Sequence, residues 1–462
     1  MKTSRVISIV LIAFTVIAWM AFFFAPKDQE QIEFDNHVKQ ADKYLERGLY
    51  QKAIEEYDLA LMVKPDNEKI WTEKFHTYDL LYKENPDNEI YDAYLGDVKN
   101  GIILFPQNTE YHLTAAKLLA GNDEYREAYK LLSKAVDAGV VNDEILDMQF
   151  KTKYAFQFDA GKYFGGYDCV NGNYLLKDYA GWVYLDETGS RTAGMPTYSF
   201  AGPVGDLSIR FVSTGEKNYL TDNNRVIQGY FSKVPEEAGF YSADGLIPLK
   251  YNKKYYYYNI LGDVQFDSAS YDYAGTFVNG TAAVKNNNKW YIIDTEGNKV
   301  SDEVYDDVVL NQDNTYWKNG VKSLKLSGDP LYTVYVNDEI IGKYENVSYV
   351  TDDGIIAVCE NGKWGFINLQ GEFVIEPQFR SARSFSNGLA AVYDGKNWGF
   401  VDTDGKLAIQ YQFIDVGAFT QAGYCLVLSE QEKDKDTNEL ISYWQLISLY
   451  NRKVEVTSFL GG

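Results

Sequence analysis

Gly362-Lys363-Trp364-Gly365-Phe366-Ile367-Asn368 and Lys396-Asn397-Trp398-Gly399-Phe400-Val401-Asp402 write one pattern twice, with the tryptophans 34 residues apart. Gly371 and Gly405 follow their Trp by seven residues, and Phe379 and Phe413 by fifteen. Several landmarks at one fixed offset make a repeat. Within a copy, Gly388-Leu389-Ala390-Ala391-Val392 reads as a strand, Asp394-Gly395-Lys396-Asn397 as a turn, and Trp398-Gly399-Phe400-Val401-Asp402 as the next strand. Thr403-Asp404-Gly405-Lys406 is a second turn, and Leu407-Ala408-Ile409 closes the meander. Asx and Gly supply the positive φ that tight hairpins need. The glycine after each Trp reads as space for a large ring to lie against the backbone.

The register extends in both directions. Trp290 is followed by Asp294, Gly297 and Tyr305, and preceded by Tyr271, Phe277 and Gly280-Thr281-Ala282-Ala283-Val284, at the same offsets. Trp182 with Asp186 and Gly189, Tyr255 with Asn259 and Gly262, and Trp444 with Asn451 and Phe459 add further copies. Fainter copies around Tyr219 to Asp222 and Tyr332 to Asn337 bring the expectation to about eight units across residues 153–462. This region resembles the WG-repeat family, named for its Trp-Gly pair. The pair stands at Trp364-Gly365 and Trp398-Gly399; Trp182-Val183, Trp290-Tyr291 and Trp444-Gln445 depart from it and rest on the flanking offsets. Units of about 35 residues with three or four short strands suit a closed toroid such as a β-propeller, because closure removes exposed strand edges. An open β-solenoid is the alternative. The region opens with what reads as a first half-unit (Tyr163 to Leu176) and ends with a second half (Trp444 to Phe459), so its ends are expected to pair.

At the other end of the chain, Val6 to Phe24 holds nothing more polar than Ser8 and Thr15. As a helix it would span roughly 30 Å, the thickness of a bilayer's hydrocarbon core. A cleaved leader would have a shorter apolar run ending in small residues, whereas this one ends Trp19-Met20-Ala21-Phe22-Phe23-Phe24. Residues 1–26 are therefore expected to be an uncleaved transmembrane anchor in the cell membrane. Lys2 and Arg5 on the short side predict a cytoplasmic N-terminus, with the bulk of the chain outside.

Residues 34–146 change texture to helical spacing. Ala41, Tyr44, Gly48, Tyr50, Ala53, Tyr57, Ala60 and Pro65 put small residues where two antiparallel helices touch and large ones between. This resembles a tetratricopeptide repeat, departing at His37. Ala116, Leu119, Tyr125, Ala128, Leu132 and Ala135 form a second match, with Val140 in the place of the family's proline. The unit between them, beginning near Trp71, is degenerate; Asn85-Pro86-Asp87-Asn88 is its expected helix break and Pro106 its end. The resemblance implies a concave groove that takes a peptide or helix from a partner. The alternative is a spacer that packs on its neighbour.

The chemistry the sequence offers is sparse. Sixty-six acidic against 44 basic side chains give a net charge of −22, which disfavours nucleic acid or an anionic lipid surface. Cys169, Cys359 and Cys425 form no CxxC and read as small buried side chains. His37, His76 and His112 all fall in the helical stretch, so residues 153–462 can hold no Ser-His-Asp or Cys-His constellation and no His-ligated metal. Gly161-Lys162-Tyr163-Phe164-Gly165-Gly166 reads as a turn and not as a phosphate loop. Asp302-Glu303, Asp306-Asp307, Asp402 and Asp404 are the densest carboxylates, yet Asp402 and Asp404 recur as Asp294 and Glu296 at the repeat offset, which marks turn formers. The Asp-x-Asp-Gly turn falls far short of a 12-residue calcium loop. Two insertions, Asn311 to Pro330 and Ser429 to Asp436, lengthen hairpins where binding specificity can sit.

Together these readings predict an α + β multidomain chain: an anchor, a short α-solenoid and an all-β repeat domain, with no cofactor, no metal and no enzymatic activity. The expected function is a membrane-anchored extracytoplasmic scaffold that binds protein partners and no nucleic acid. A cell-envelope carbohydrate-binding module is the alternative, stacking cell-wall glycan on Trp317, Tyr332 or Tyr255 to Tyr258. A third reading, a glycosidase, would need two facing carboxylates among Asp302 to Asp307. The signature residues Trp182, Trp290, Trp364, Gly365, Trp398, Gly399 and Trp444 are expected to be architectural.

Overall fold

The computed structural model describes residues 29–192, 194–223, 225–228, 230–435 and 438–452. They divide into two compact units between Thr152 and Lys153.

The first unit is a run of helices: α1 (Gln29–Glu46), α2 (Tyr50–Val63), α3 (Glu68–Glu84), α4 (Asn88–Leu104), α5 (Thr109–Gly121), α6 (Tyr125–Asp137) and α7 (Asp143–Lys153). Short polar residues start several of them by accepting otherwise unpaired first-turn amides. Asn67 takes the Ile70 amide, Asp87 the Glu89 amide, and Asn108 those of Glu110 and Tyr111. The expected break at Asn85 to Asn88 is the α3–α4 junction. Small residues mark the helix contacts: Ala41, Ala53, Ala60, Ala115, Ala116 and Ala128 are fully buried. Gly101 works the same way, since a Cβ there would lie 2.9 Å from Cζ of Phe75 and 3.3 Å from Tyr111. One charge is inside. Lys74 is buried between Asp58 and Asp97, the latter at 2.6 Å, with its ammonium 5.4 Å from the Trp71 ring centre.

The second unit is built from short antiparallel meanders. Asn346–Val347, Ile356–Glu360, Lys363–Ile367 and Phe373–Phe379 form one four-stranded sheet; Ser381–Ala382, Leu389–Tyr393, Trp398–Asp402 and Leu407–Phe413 form the next. Their registers repeat, with Trp364 opposite Phe379 and Trp398 opposite Phe413. Asn361 and Gly362 both have positive φ, as a two-residue hairpin loop requires. The second turn is built by one side chain: Oδ1 of Asp402 accepts the amides of Asp404 and Lys406. Asp186, Asn259, Asp294 and Asn368 accept the equivalent two amides in their units.

The glycine of the Trp-Gly pair has a different reason from the one expected. A Cβ on Gly365 would stand 2.7 Å from both the Ile375 carbonyl oxygen and the Pro377 nitrogen; on Gly399 it would stand 2.7 Å from the Ile409 oxygen. The space is taken by the backbone of the neighbouring strand, which bulges there, and not by a ring. Three residues lie between the paired Ile375 and Phe379. Where a side chain follows the Trp, the spacing is kept or grows by one. Five residues lie between Lys299 and Tyr305, opposite Ile293 and Trp290, as between Phe373 and Phe379, opposite Ile367 and Trp364. Six lie between Arg191 and Tyr198, opposite Leu185 and Trp182.

The expectations of a closed toroid, a solenoid and a membrane anchor are corrected. Among the described residues the strands fall into seven sheets of three to seven strands; no sheet closes on itself and no closed barrel or propeller is formed. The strand Tyr305–Val308 overrides the repeat: Tyr305 pairs with Trp290 while Val308 pairs with Leu324, fusing two units into one seven-stranded sheet. The solenoid alternative fails as well, because the pairings are antiparallel. The ends of the unit do meet locally, Phe156–Phe158 pairing with Leu449 to Ile447 and Tyr163 with Trp444. The membrane anchor and the extracytoplasmic location that depended on it are also withdrawn. No helix among the described residues is long and apolar enough to cross a membrane, and Val6 to Phe24 lies outside those residues.

Candidate functional site

In the helical unit, α3 and α5 turn matching faces toward one cavity of about 480 Å³. Thr72, Phe75, His76, Asp79 and Lys83 follow the three- and four-residue spacing of one face of α3, and Glu110, Tyr111, Thr114, Lys117 and Gly121 that of α5. Tyr94 of α4 reaches in between them. Phe75 packs edge-on to Tyr111 at 5.0 Å, and Tyr94 stacks on Tyr78 at 5.1 Å, so the floor is a rigid aromatic platform. Tyr111 is held further by its hydroxyl, which donates to the Glu68 carbonyl and meets the Thr72 hydroxyl at 2.9 Å. The rim carries an exposed ion pair, Lys83 with Asp79 at 2.6 Å, and His76 stands 3.7 Å from Glu110. Such a surface gives apolar contact below and charge selection above. None of these residues belongs to the helical-repeat signature, although the stripe Thr72, Phe75, His76, Asp79, Lys83 was available as a spacing signal.

The β unit has a smaller cavity of about 250 Å³ where hairpins from several units converge, lined by Asn171, Glu187, Gln312, Asp353, Ser386 and Thr420 among others. Next to it Asp168 accepts hydrogen bonds from its neighbour Cys169 N, from Gln312 Nε2 and from Ala418 N, at 2.8 to 2.9 Å. Burial pushes its carboxyl up to about 6. The Asn311 to Pro330 insertion thus has a packing task, since Gln312 ties it to residues 144 positions away.

Three of the carboxylates considered for hydrolysis are occupied, and Asp302 is exposed. Asp306 accepts from Lys289, the Gly328 amide and Ser327, which hold its carboxyl down at about 2, the opposite of a general acid's need. Asp307 accepts from the Tyr332 hydroxyl and Glu303 from the Tyr305 hydroxyl. Cys359 and Cys425 are buried and Cys169 is half-buried, and burial raises all three thiols. Of the rings proposed for glycan stacking, Tyr255, Tyr257 and Tyr332 are buried, and Tyr256, Tyr258 and Trp317 are half-buried. Trp290 is buried and Trp182, Trp364, Trp398 and Trp444 are half-buried. Cations lie over the rings of three of them, Lys177 at Trp182, Lys285 at Trp290 and Arg383 at Trp398, at 4.6 to 5.9 Å.

Residues 268–290, 337–364, 364–398 and 398–430 match the model of the WG containing repeat. The chain is 30% identical over 158 residues to the TPR repeat-containing protein MJ1428 of Methanocaldococcus jannaschii. That match covers 33% of this chain and 26% of the relative, so the chain spans about a quarter of the relative's length. Among solved structures, the Sgt2 TPR domain of Aspergillus fumigatus is similar at 18% identity and a TM-score of 0.21, over 26% of this chain and 77% of that one. A streptogramin B lyase is similar at 11% identity and a TM-score of 0.31, over 63% of this chain and 96% of that one. The chain therefore carries TPR-like helices and, within residues 268–430, WG-containing repeats.

Proposed function

We propose that this chain is a scaffold that binds another protein in the groove between α3 and α5 and catalyses no reaction. The observation that carries the reading is the groove itself, an open cavity floored by Phe75, Tyr94 and Tyr111. Grooves of this form hold an amphipathic helix or an extended segment. TPR-like repeats generally mediate protein–protein contacts, which agrees with it. The non-catalytic half of the reading is supported by the occupied carboxylates of Asp306, Asp307 and Glu303.

The test places a photocrosslinking amino acid in the full chain at Thr114, which lines the groove, or at Met62, which is 78% exposed on α2. In the native cell, a discrete crosslinked protein is expected from position 114 and not from position 62. Crosslinks from position 62 alone would reject the groove.

A further inference from the structure

Two strands of the β unit outrun their sheet. Tyr424–Lys433 and Leu440–Leu449, ten residues each, are the longest strands among the described residues. Their neighbours cover only part of them: Asp415–Val416 pairs with Leu428 and Val427, and Phe156–Phe158 with Leu449 to Ile447. From Glu430 to Lys433 and from Leu440 to Tyr443 the two strands pair with each other alone, as a projecting ribbon. A two-stranded ribbon by itself is marginal in water.

The two edges of the ribbon differ. Glu430, Gln431, Glu432 and Lys433 line one edge with charge, the usual guard against strand addition, whereas Leu440, Ile441, Ser442 and Tyr443 line the other with neither charge nor proline. That second edge already accepts backbone from its own chain. Trp444 exchanges amide and carbonyl with Tyr163 at 2.8 and 2.9 Å, the Leu446 carbonyl accepts the Asp159 amide, and the Tyr450 amide donates to Ala155. Main-chain groups alternate in direction along a strand, so Ser442 and Leu440 turn theirs the same way as Trp444. Among the described residues nothing bonds these outward groups. The cover stops there because the chain turns away: the Phe164 amide bonds the Lys177 carbonyl and Gly165 pairs with Lys177.

An aromatic patch marks the opening. The Phe164 ring stands 4.3 Å from that of Tyr179 and 5.8 Å from that of Tyr443, and Tyr179 is 88% exposed. Ile441 shares the face of Tyr443, so a residue added opposite Ile441 would point onto this patch. Residues 428–444 carry five acidic side chains against two basic ones, which attracts a basic segment and repels a second copy of the same ribbon.

We infer that a basic, extended segment of a partner protein adds as a strand along Leu440 to Ser442, in line with residues 155–163, and lays an apolar side chain on the rings of Phe164 and Tyr179. Main-chain bonds then supply affinity, and alternate side chains supply selectivity. This surface belongs to the β unit and the groove to the helical unit, so neither reading rests on the other.

Random dodecapeptides displayed on phage and selected against the full chain test this, with recovered peptides titrated by fluorescence anisotropy. Edge peptides are identified with Ser442→Pro, which removes an outward amide, leaves the ribbon's own hydrogen bonds in place, and should weaken them about tenfold. Ser442→Thr keeps the amide and should bind as the wild type does. Edge peptides are expected to carry Lys or Arg, to weaken as salt rises, and to lose about threefold against Tyr179→Ala. N-methylation of the peptide backbone, read on the unaltered protein, should abolish binding at every second residue of the added stretch and spare those between. Edge peptides without a base, or without that alternation, overturn the inference, as does recovery of no peptide sensitive to Ser442→Pro. A dimer in analytical ultracentrifugation that Ser442→Pro dissolves would overturn it in favour of a second copy. None of these outcomes touches the groove, which has its own crosslinking test.

Discussion

The two units use their repeated residues for opposite purposes. In the helical unit the repeated positions are alanines and tyrosines at helix contacts, and the residues between repeats are left to form a surface. In the β unit the repeated positions set backbone geometry: Asx side chains make turns, glycines admit a bulged neighbour, and cations lie over several of the conspicuous rings. The lesson is that a strong sequence signature marks what holds a repeat together. Binding surfaces are better sought where the signature falls silent, as in the degenerate middle repeat around α3.

The sharpest way to break this contrast is Gly399→Ala. Its Cβ would meet fixed backbone at 2.7 Å, so the β unit should lose about 3 kcal/mol in urea unfolding while the helical unit keeps its own transition. A loss below about 0.5 kcal/mol would show that the bulge adapts and that the Trp-Gly glycine is not structural. Conversely, Lys74→Ala should destabilise the helical unit by about 2 kcal/mol, since it strands Asp97 and Asp58 beside buried rings; Asp58 is half-exposed, which keeps the cost below that of a fully buried pair. Helical circular dichroism reads the effect.

A pH titration separates the units next. Asp168 is raised in the folded state, to about 6 from about 4. A raised carboxyl stabilises the fold fully below its unfolded value and loses that contribution as pH rises through the folded value. The β unit should therefore lose on the order of 1–2 kcal/mol between pH 4 and pH 6.5, and Asp168→Asn should flatten this dependence. A slope of the opposite sign in the wild type would remove the account of the buried carboxyl. The smallest expected effect is Gly405→Ala, about 1 kcal/mol, because φ there is +77° but the nearest atoms to an added Cβ are the Ile375 side chain at 3.4 Å or beyond. Measured against Gly399→Ala, it divides the cost of backbone strain from that of a clash.

By itself the sequence determined what depends on neighbours along the chain. Asp402 and Asp294 build turns from amides two and four residues away, Asn67 and Asn108 start helices within one turn, and Ala53 or Ala116 mark contacts at fixed spacing. Such interactions span few residues, so composition and offset suffice to read them. Only the tertiary structure decided the rest. Gly365 faces the backbone of a strand that bulges, and Tyr305–Val308 runs two units into one sheet, because strand pairing depends on partners that sequence spacing leaves open. Asp79, Tyr94 and Glu110 come to line one cavity from three helices only once Gly101 lets α4 settle against Phe75 and Tyr111. Their meeting is set by packing across tens of residues, which no local pattern encodes.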